Sequence, residues 1–190
     1  MQLLIDRIQR DGKNLGNGIL KVDGFINHQV DALLMDACGA ALAERFTKVG
    51  ATKILTAEIS GIAPALMTGK HLGLPVVYAR KSKPITMPHE VFLTLAPSHT
   101  RGRTIELIIS PEYLGNNERI LIIDDFLATG QTIMGLVRLT QVAGSSLVGI
   151  GTLIEKTFEG GRKLLEQYHV PIESLAAITS MENGAITFAE

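Results

Sequence analysis

The chain has 190 residues, 46% hydrophobic and 19% charged, with 18 Lys and Arg against 19 Asp and Glu. That length predicts a single domain over residues 1–190, with a core that needs no disulfide or metal staple, and a net charge of -1 excludes a domain that coats nucleic acid. Glycine is in excess at 19 residues, Trp is absent and aromatics are only 5%; collagen, disorder, a disulfide scaffold and a stacking platform for single strands are excluded as well.

In chain order, Met1–Arg7 mixes acid and base where a signal peptide needs an apolar run. No uncharged apolar stretch reaches the ~18 residues of a membrane span, so a cytoplasmic protein is expected. Gly12, Gly16 and Gly18 mark a loose stretch. From Asp31 to Val49, Leu33, Leu34, Ala37, Ala41, Leu42 and Phe46 recur at helical spacing. Cys38 lies one helical turn from Leu34 and Leu42, which makes it a small buried hydrophobe rather than a reactive thiol. A single cysteine also fits a reducing compartment. Lys53–Ala57 reads as a short strand, Ala63–Leu72 as a helix stopped by Gly73, and Pro75–Ala79 as the next strand. Val91–Leu95 and Thr104–Ile109 resemble two antiparallel strands joined by the polar segment Ala96–Arg103, either a surface excursion or a mobile flap. Arg119–Ile123 is a continuous apolar run suited to a strand covered on both faces. A helix over Thr132–Ala143 and a strand over Leu147–Ile154 follow. Strands alternating with helices predict an α/β fold around a parallel sheet with right-handed crossovers.

The chemistry is concentrated in Ile120–Thr132. A buried strand delivers two adjacent carboxylates, Asp124 and Asp125, at its C-terminal edge, where ligands bind in open α/β sheets. The turn at Gly130 then opens a helix, and its backbone N–H groups with the Thr129 and Thr132 hydroxyls form a nest for a phosphate. No Gly-Lys-Ser/Thr follows, which excludes the Walker pattern, and the three spaced glycines of a dinucleotide fingerprint are missing. Acids directly ahead of a phosphate cradle suit one ligand carrying a diol and a phosphate, ribose 5-phosphate. The plain alternative is an N-capping Asp-Asp turn before an ordinary helix. His28, His71, His89, His99 and His169 show no metal-ligand spacing, so no metal site built by protein side chains alone is expected.

The whole string Ile122-Ile123-Asp124-Asp125-Phe126-Leu127-Ala128-Thr129-Gly130-Gln131-Thr132 resembles the phosphoribosyl diphosphate signature of type I phosphoribosyltransferases. The resemblance to the purine branch of that family runs from end to end, through Leu20–Gln29, Ser60–Ala65, Val76–Lys81, Gly149-Ile150-Gly151 and Ile154-Glu155-Lys156. It implies a central parallel sheet flanked by helices, a small hood for the base and a flexible β-hairpin flap around Pro97-Ser98-His99-Thr100. It further implies transfer of a phosphoribosyl group to xanthine, with guanine and hypoxanthine as weaker substrates, by a homodimer with no nucleic-acid or membrane partner. By the same resemblance Ala128, Thr129, Gly130, Gln131 and Thr132 hold the 5-phosphate, and Asp124 and Asp125 the ribose hydroxyls. Ile59 and Ser60 form the pyrophosphate loop, Arg80 and Lys81 neutralise the pyrophosphate, and Leu20, Asn27 and Lys156 recognise the base. Mg2+ is expected to arrive with the diphosphate. Hypoxanthine-guanine relatives carry an Asp where this chain has Ala128, so no carboxylate there serves as acid or base. An adenine-specific enzyme and a non-catalytic regulator that senses phosphoribosyl diphosphate are the alternatives. Lys156 and Ile59-Ser60 weigh against the first, and the length and charge against the second.

Overall fold

The computed structural model of the chain describes residues 1–97 and 104–189. The N-terminal segment forms helix α1 (Gln2–Asp11), which buries Leu4 and Ile8. A hood follows, made of β1 (Lys13–Asn14), β2 (Leu20–Lys21) and a π-helical turn over Asp23–Asn27. Helix α2 (Ala32–Phe46) starts where Asp31 accepts a hydrogen bond from the Leu34 N–H at 3.1 Å. It ends three residues before the expected Val49, because the Thr47 hydroxyl engages the Ala43 and Glu44 carbonyls, both at 3.0 Å. The buried face also differs from the expected one. Leu34, Met35, Cys38, Gly39, Leu42, Ala43 and Phe46 face inward, whereas Leu33 is 85% exposed.

Strand β3 (Lys53–Ala57) and helix α3 (Ile62–Leu72) fall where the pattern places them, and Gly73 closes α3 with a φ of 68°. Then come β4 (Val76–Ala79) and the hairpin β5 (Phe92–Pro97) and β6 (Thr104–Ile109), which pair antiparallel. The flap residues 98–103 lie outside the described residues. Strand β7 (Arg119–Leu127) is longer than its apolar run predicts. Asp124, Phe126 and Leu127 continue the ladder by pairing with Thr152, Ile154 and Glu155, so the acidic pair is held inside a strand. Helix α4 (Gln131–Val142), β8 (Ser146–Lys156), the short α5 (Gly161–Leu165), β9 (Ile172–Ser180) and β10 (Thr187–Phe188) complete the chain.

The six-stranded sheet has the order β10-β9-β8-β7-β3-β4. All its pairs are parallel except β10 with β9, so the expected parallel sheet carries one antiparallel edge. Two hydrophobic clusters cover it. One joins α1, the hood, α2 and α3 to Leu121, Ile123, Leu153 and Ile154. The other joins α4 and the hairpin to Leu55, Ile120, Ile122 and Ile150. β7 thus contributes to both, as alternate residues of a strand must when both sheet faces are buried. On β8, alanine at Gly149 or Gly151 would bring a Cβ to 2.8 Å from the Phe46 ring. These glycines let α2 lie directly on the sheet.

Candidate active site

Where β3, β4 and β7 end, a cleft of about 170 Å³ is lined by Ser60, Lys81, Asp124, Asp125 and the run Ala128–Thr132, joined by Ala57, Glu58, Pro97, Phe126 and Ile133. One cavity therefore unites nine of the residues singled out from sequence. Its floor is stiff, because Asp124 and Asp125 are 5% and 9% exposed near the end of a strand buried on both faces. Burial pushes the Asp124 carboxyl well above the usual carboxylate range, and the neighbouring Asp125 charge adds to the rise. The Asp125 N–H, donating to Asp124 Oδ1 at 3.0 Å, and the Lys81 charge act in the opposite direction.

Gly61 occupies a position set by this carboxylate. A Cβ there would lie 2.2 Å from Thr56 Oγ1 and 2.4 Å from Asp124 Oδ1. Its lack of a side chain is thus required by the close approach of the acid. The Glu58–Ile59 peptide is cis. Ile59 is exposed, while Ser60 faces the cleft.

Glu58, which no motif singled out, organises the cationic side. Its Oε1 accepts the Lys81 backbone N–H at 2.6 Å, and its Oε2 lies 3.1 Å from Arg80 Nε. Lys81 consequently faces the cleft, but Arg80 does not: it borders a separate groove beside β4, with Val76, Tyr78, Met87 and Tyr113. The only signal for Glu58 was its place directly after a strand, too common to assign a role.

The phosphate cradle is a backbone structure. Gly130 adopts a left-handed φ of 77° and sits at the N-cap of α4, where no side chain caps the helix and no acidic residue occupies the first turn. The free N–H groups and the positive end of α4 therefore face the cleft. The cradle rests on a second glycine. Gly161 donates its N–H to Ala128 O at 3.0 Å, and a Cβ on it would lie 2.3 Å from that oxygen. Gly161 is distant in sequence, so local pattern offers no hint of the contact.

The base-recognition candidates do not line the cleft. Lys156, its side chain 9% exposed, donates to Gly18 O of the hood at 2.6 Å and lies 3.2 Å from Glu159 Oε1. Its ammonium stands 5.7 Å from the centre of the Phe126 ring, which does line the cleft. Lys156 is therefore next to the cavity, joined to it by Phe126. Leu20 is buried in the hood, and Asn27 is exposed at the end of the π-helical turn. Among the described residues, no group of three or more His, Cys, Asp or Glu is disposed to hold a metal ion, and no helix is long and apolar enough to cross a membrane.

A strand-end acid pair continuous with a backbone anion cradle is, in an α/β protein, an arrangement suited to a phosphorylated sugar. The profile of the phosphoribosyl transferase domain matches residues 29–188, and the chain belongs to that family. It is 47% identical over 189 residues to a xanthine phosphoribosyltransferase of Lacticaseibacillus casei (strain BL23), covering 100% of this chain and 98% of that protein. A xanthine phosphoribosyltransferase of Bacillus cereus is 45% identical over 190 residues, covering 100% and 96%. Among solved structures, an adenine phosphoribosyltransferase of Thermoanaerobacter pseudethanolicus superposes with a TM-score of 0.75 at 27% identity, over 92% of this chain and 99% of that one. One from Rhodothermus marinus gives 0.74 at 26% identity, over 94% and 100%.

Proposed function

We propose that this chain transfers the 5-phosphoribosyl group of phosphoribosyl diphosphate to xanthine, giving xanthosine 5'-monophosphate and pyrophosphate in cytoplasmic purine salvage. The observation that carries the reading is the single cleft in which Asp124 and Asp125 stand beside the Ala128–Thr132 cradle. That arrangement meets a ribose diol and a 5-phosphate at once. The N–H groups at the start of α4 bind the phosphate, the acid pair orients the hydroxyls, and Ser60 and Lys81 face the leaving diphosphate. The C1–diphosphate bond breaks, a purine nitrogen bonds to C1, and the base proton passes to water, since Ala128 supplies no carboxylate. Catalysis then rests on positioning and on preorganised charge.

Two of the three Lys156 donors go to Gly18 O and Glu159. A third suits a 6-oxo purine and mismatches the 6-amino group of adenine. This weighs for xanthine over the adenine activity named for the solved structures, as does the higher identity to the xanthine enzymes. Phe126 offers the base a ring between Lys156 and the cleft, and Leu20 and Asn27 would contribute from the hood. The two acids fit Mg2+, because a cation offsets the cost of ionising the buried Asp124. When bound, Mg2+ would supply charge neutralisation to the departing pyrophosphate. A homodimer suits the exposed Tyr78 and Tyr113 in the groove beside β4.

The test is a competition of equal xanthine, guanine, hypoxanthine and adenine with phosphoribosyl diphosphate and Mg2+. Xanthosine monophosphate should dominate. Turnover of adenine alone overturns the reading, and no turnover at all favours a regulator.

A further inference from the structure

Outside the cleft lining lies an ion pair that the reaction does not use directly, with a buried carboxylate and a guanidinium that reaches solvent. Glu155, with a side chain 2% exposed, receives Arg162 through two parallel bonds: Nε to Oε1 at 2.7 Å and Nη2 to Oε2 at 2.5 Å. The Ser174 hydroxyl donates to Oε2 at 2.7 Å and lies 3.0 Å from Thr152 Oγ1, while Arg162 Nη1 donates to Ile172 O at 2.9 Å. A pair with one buried partner is weak evidence for stability, because apolar replacements of buried ion pairs often fold as well. Its location points elsewhere.

Arg162 directly follows Gly161, whose N–H holds Ala128 O. Glu155 pairs across the sheet with Leu127, the residue before Ala128. The guanidinium thus staples the first turn of α5 to β8 and β9. It does so next to Gly161, where α5 touches the Ala128–Thr132 cradle. A Cβ on Gly130 would lie 3.2 Å from Gly161 Cα, so the two turns are in direct contact and a shift of one moves the other. Lys156 follows Glu155 on β8 and faces the opposite side, toward the hood.

Resting on the phosphoribosyl-transfer reading above, we propose that Glu155 and Arg162 are positioning residues that set the 5-phosphate cradle through Gly161 and Ala128. Their effect falls on phosphoribosyl diphosphate and spares the base. Neither touches the reacting atoms.

The test compares wild type with Arg162→Lys, Glu155→Gln and the paired Glu155→Met/Arg162→Met chain, varying each substrate separately and recording thermal midpoints. Weakening Arg162 alone leaves the buried Glu155 carboxylate poorly compensated, whereas the paired change removes both charges and should recover most of the stability. With the cradle loosened, the paired variant should raise KM for phosphoribosyl diphosphate about tenfold, the scale of one well-placed hydrogen bond or a slightly displaced contact. KM for xanthine should change less than about twofold, because Lys156 faces away from the pair. Arg162→Lys, which keeps the charge but loses the fork, should fall between the two. If the paired chain does not fold, Arg162→Lys carries the same comparison. A folded variant with a wild-type KM for phosphoribosyl diphosphate, or an equal rise for both substrates, overturns the proposal. Should wild type turn over no base, the reading of the reaction fails by itself. The cradle is then tested by calorimetry with ribose 5-phosphate, where an unchanged affinity in the variants overturns the positioning role.

Discussion

Alanine at Gly61 is the most direct probe of the acid pair. The backbone there has φ -69° and ψ -18°, values any residue adopts, so the perturbation is steric alone. The new Cβ would lie 2.2 Å from Thr56 Oγ1, 2.4 Å from Asp124 Oδ1 and 3.2 Å from Ala57 O. Reaching an ordinary contact near 3.4 Å requires the Asp124 carboxylate to retreat by about 1 Å. Thr56 is 0% exposed and cannot yield, so the Asp124 carboxylate has to shift toward the cleft that it lines. Overpacking of this sort costs ~1–3 kcal/mol, and at the N-cap of α3 alanine brings no compensating gain over glycine. The protein should therefore remain folded, with a modestly lower midpoint. Its activity should suffer more, because a displacement of about 1 Å at a reacting geometry can cost ~10²-fold. Steady-state assays with phosphoribosyl diphosphate as the varied substrate should show that loss in kcat/KM. Gly115→Ala, whose Cβ meets nothing within 4 Å, serves as the control. A folded Gly61→Ala enzyme with wild-type kcat/KM would refute the link between this glycine and the position of Asp124.

Asp124→Asn should inactivate the enzyme yet stabilise the ligand-free protein at neutral pH. With the folded pKa raised by burial, the native state binds more protons than the unfolded one above the ordinary carboxylate pKa. Stability contributed by the protonated acid is thus present at low pH and lost as pH rises through the raised value. Urea midpoints of wild type and variant should converge near pH 4 and separate toward pH 8, and a gap that widens toward acid contradicts the assignment. Lys156→Ala should raise KM for xanthine by ~10–100-fold, the scale of a lost hydrogen bond to a charged group, with far less effect on phosphoribosyl diphosphate. Equal losses would make Lys156 a tie between hood and sheet only. Cys38 is fully buried, and burial pushes its thiol up to about 12. A thiol reagent at pH 8 should label the native chain negligibly and take up one equivalent on unfolding; rapid native labelling would contradict its burial.

The acid pair and cradle were legible because they are contiguous. A two-faced apolar run, two acids and a glycine turn act within a dozen residues, so local pattern contains the site. The strand–helix alternation from Lys53 to Lys156 was legible for the same reason, as each element carries its own period and its own stop. What escaped was organised by distance. Glu58 fixes Lys81 from another strand, and Gly161 supports Ala128 from beyond β8; neither residue type announces such a role. Helix α1 buries only Leu4 and Ile8, too sparse a stripe to stand out, and β10 has two residues. Leu33 shows the opposite failure: an apolar residue in phase with a helix can still face outward when the neighbouring Leu34 takes the inward position.

The hood joins the rest of the molecule through bonds of very long reach along the chain. Lys156 to Gly18 spans 138 positions, and Asn14 to Met181 and Ala185 spans 167 and 171. The sugar-phosphate half, by contrast, is assembled from neighbouring βα units. Closing long loops carries the greater entropy cost and slows the contacts that depend on it. Topology therefore gives the strand-end cleft and the hood different histories: the cleft can form while the ends of the chain are still apart, and the hood is completed only when they meet. In hydrogen-exchange pulse labelling, amides at the start of α4 would gain protection ahead of those in β1 and β2.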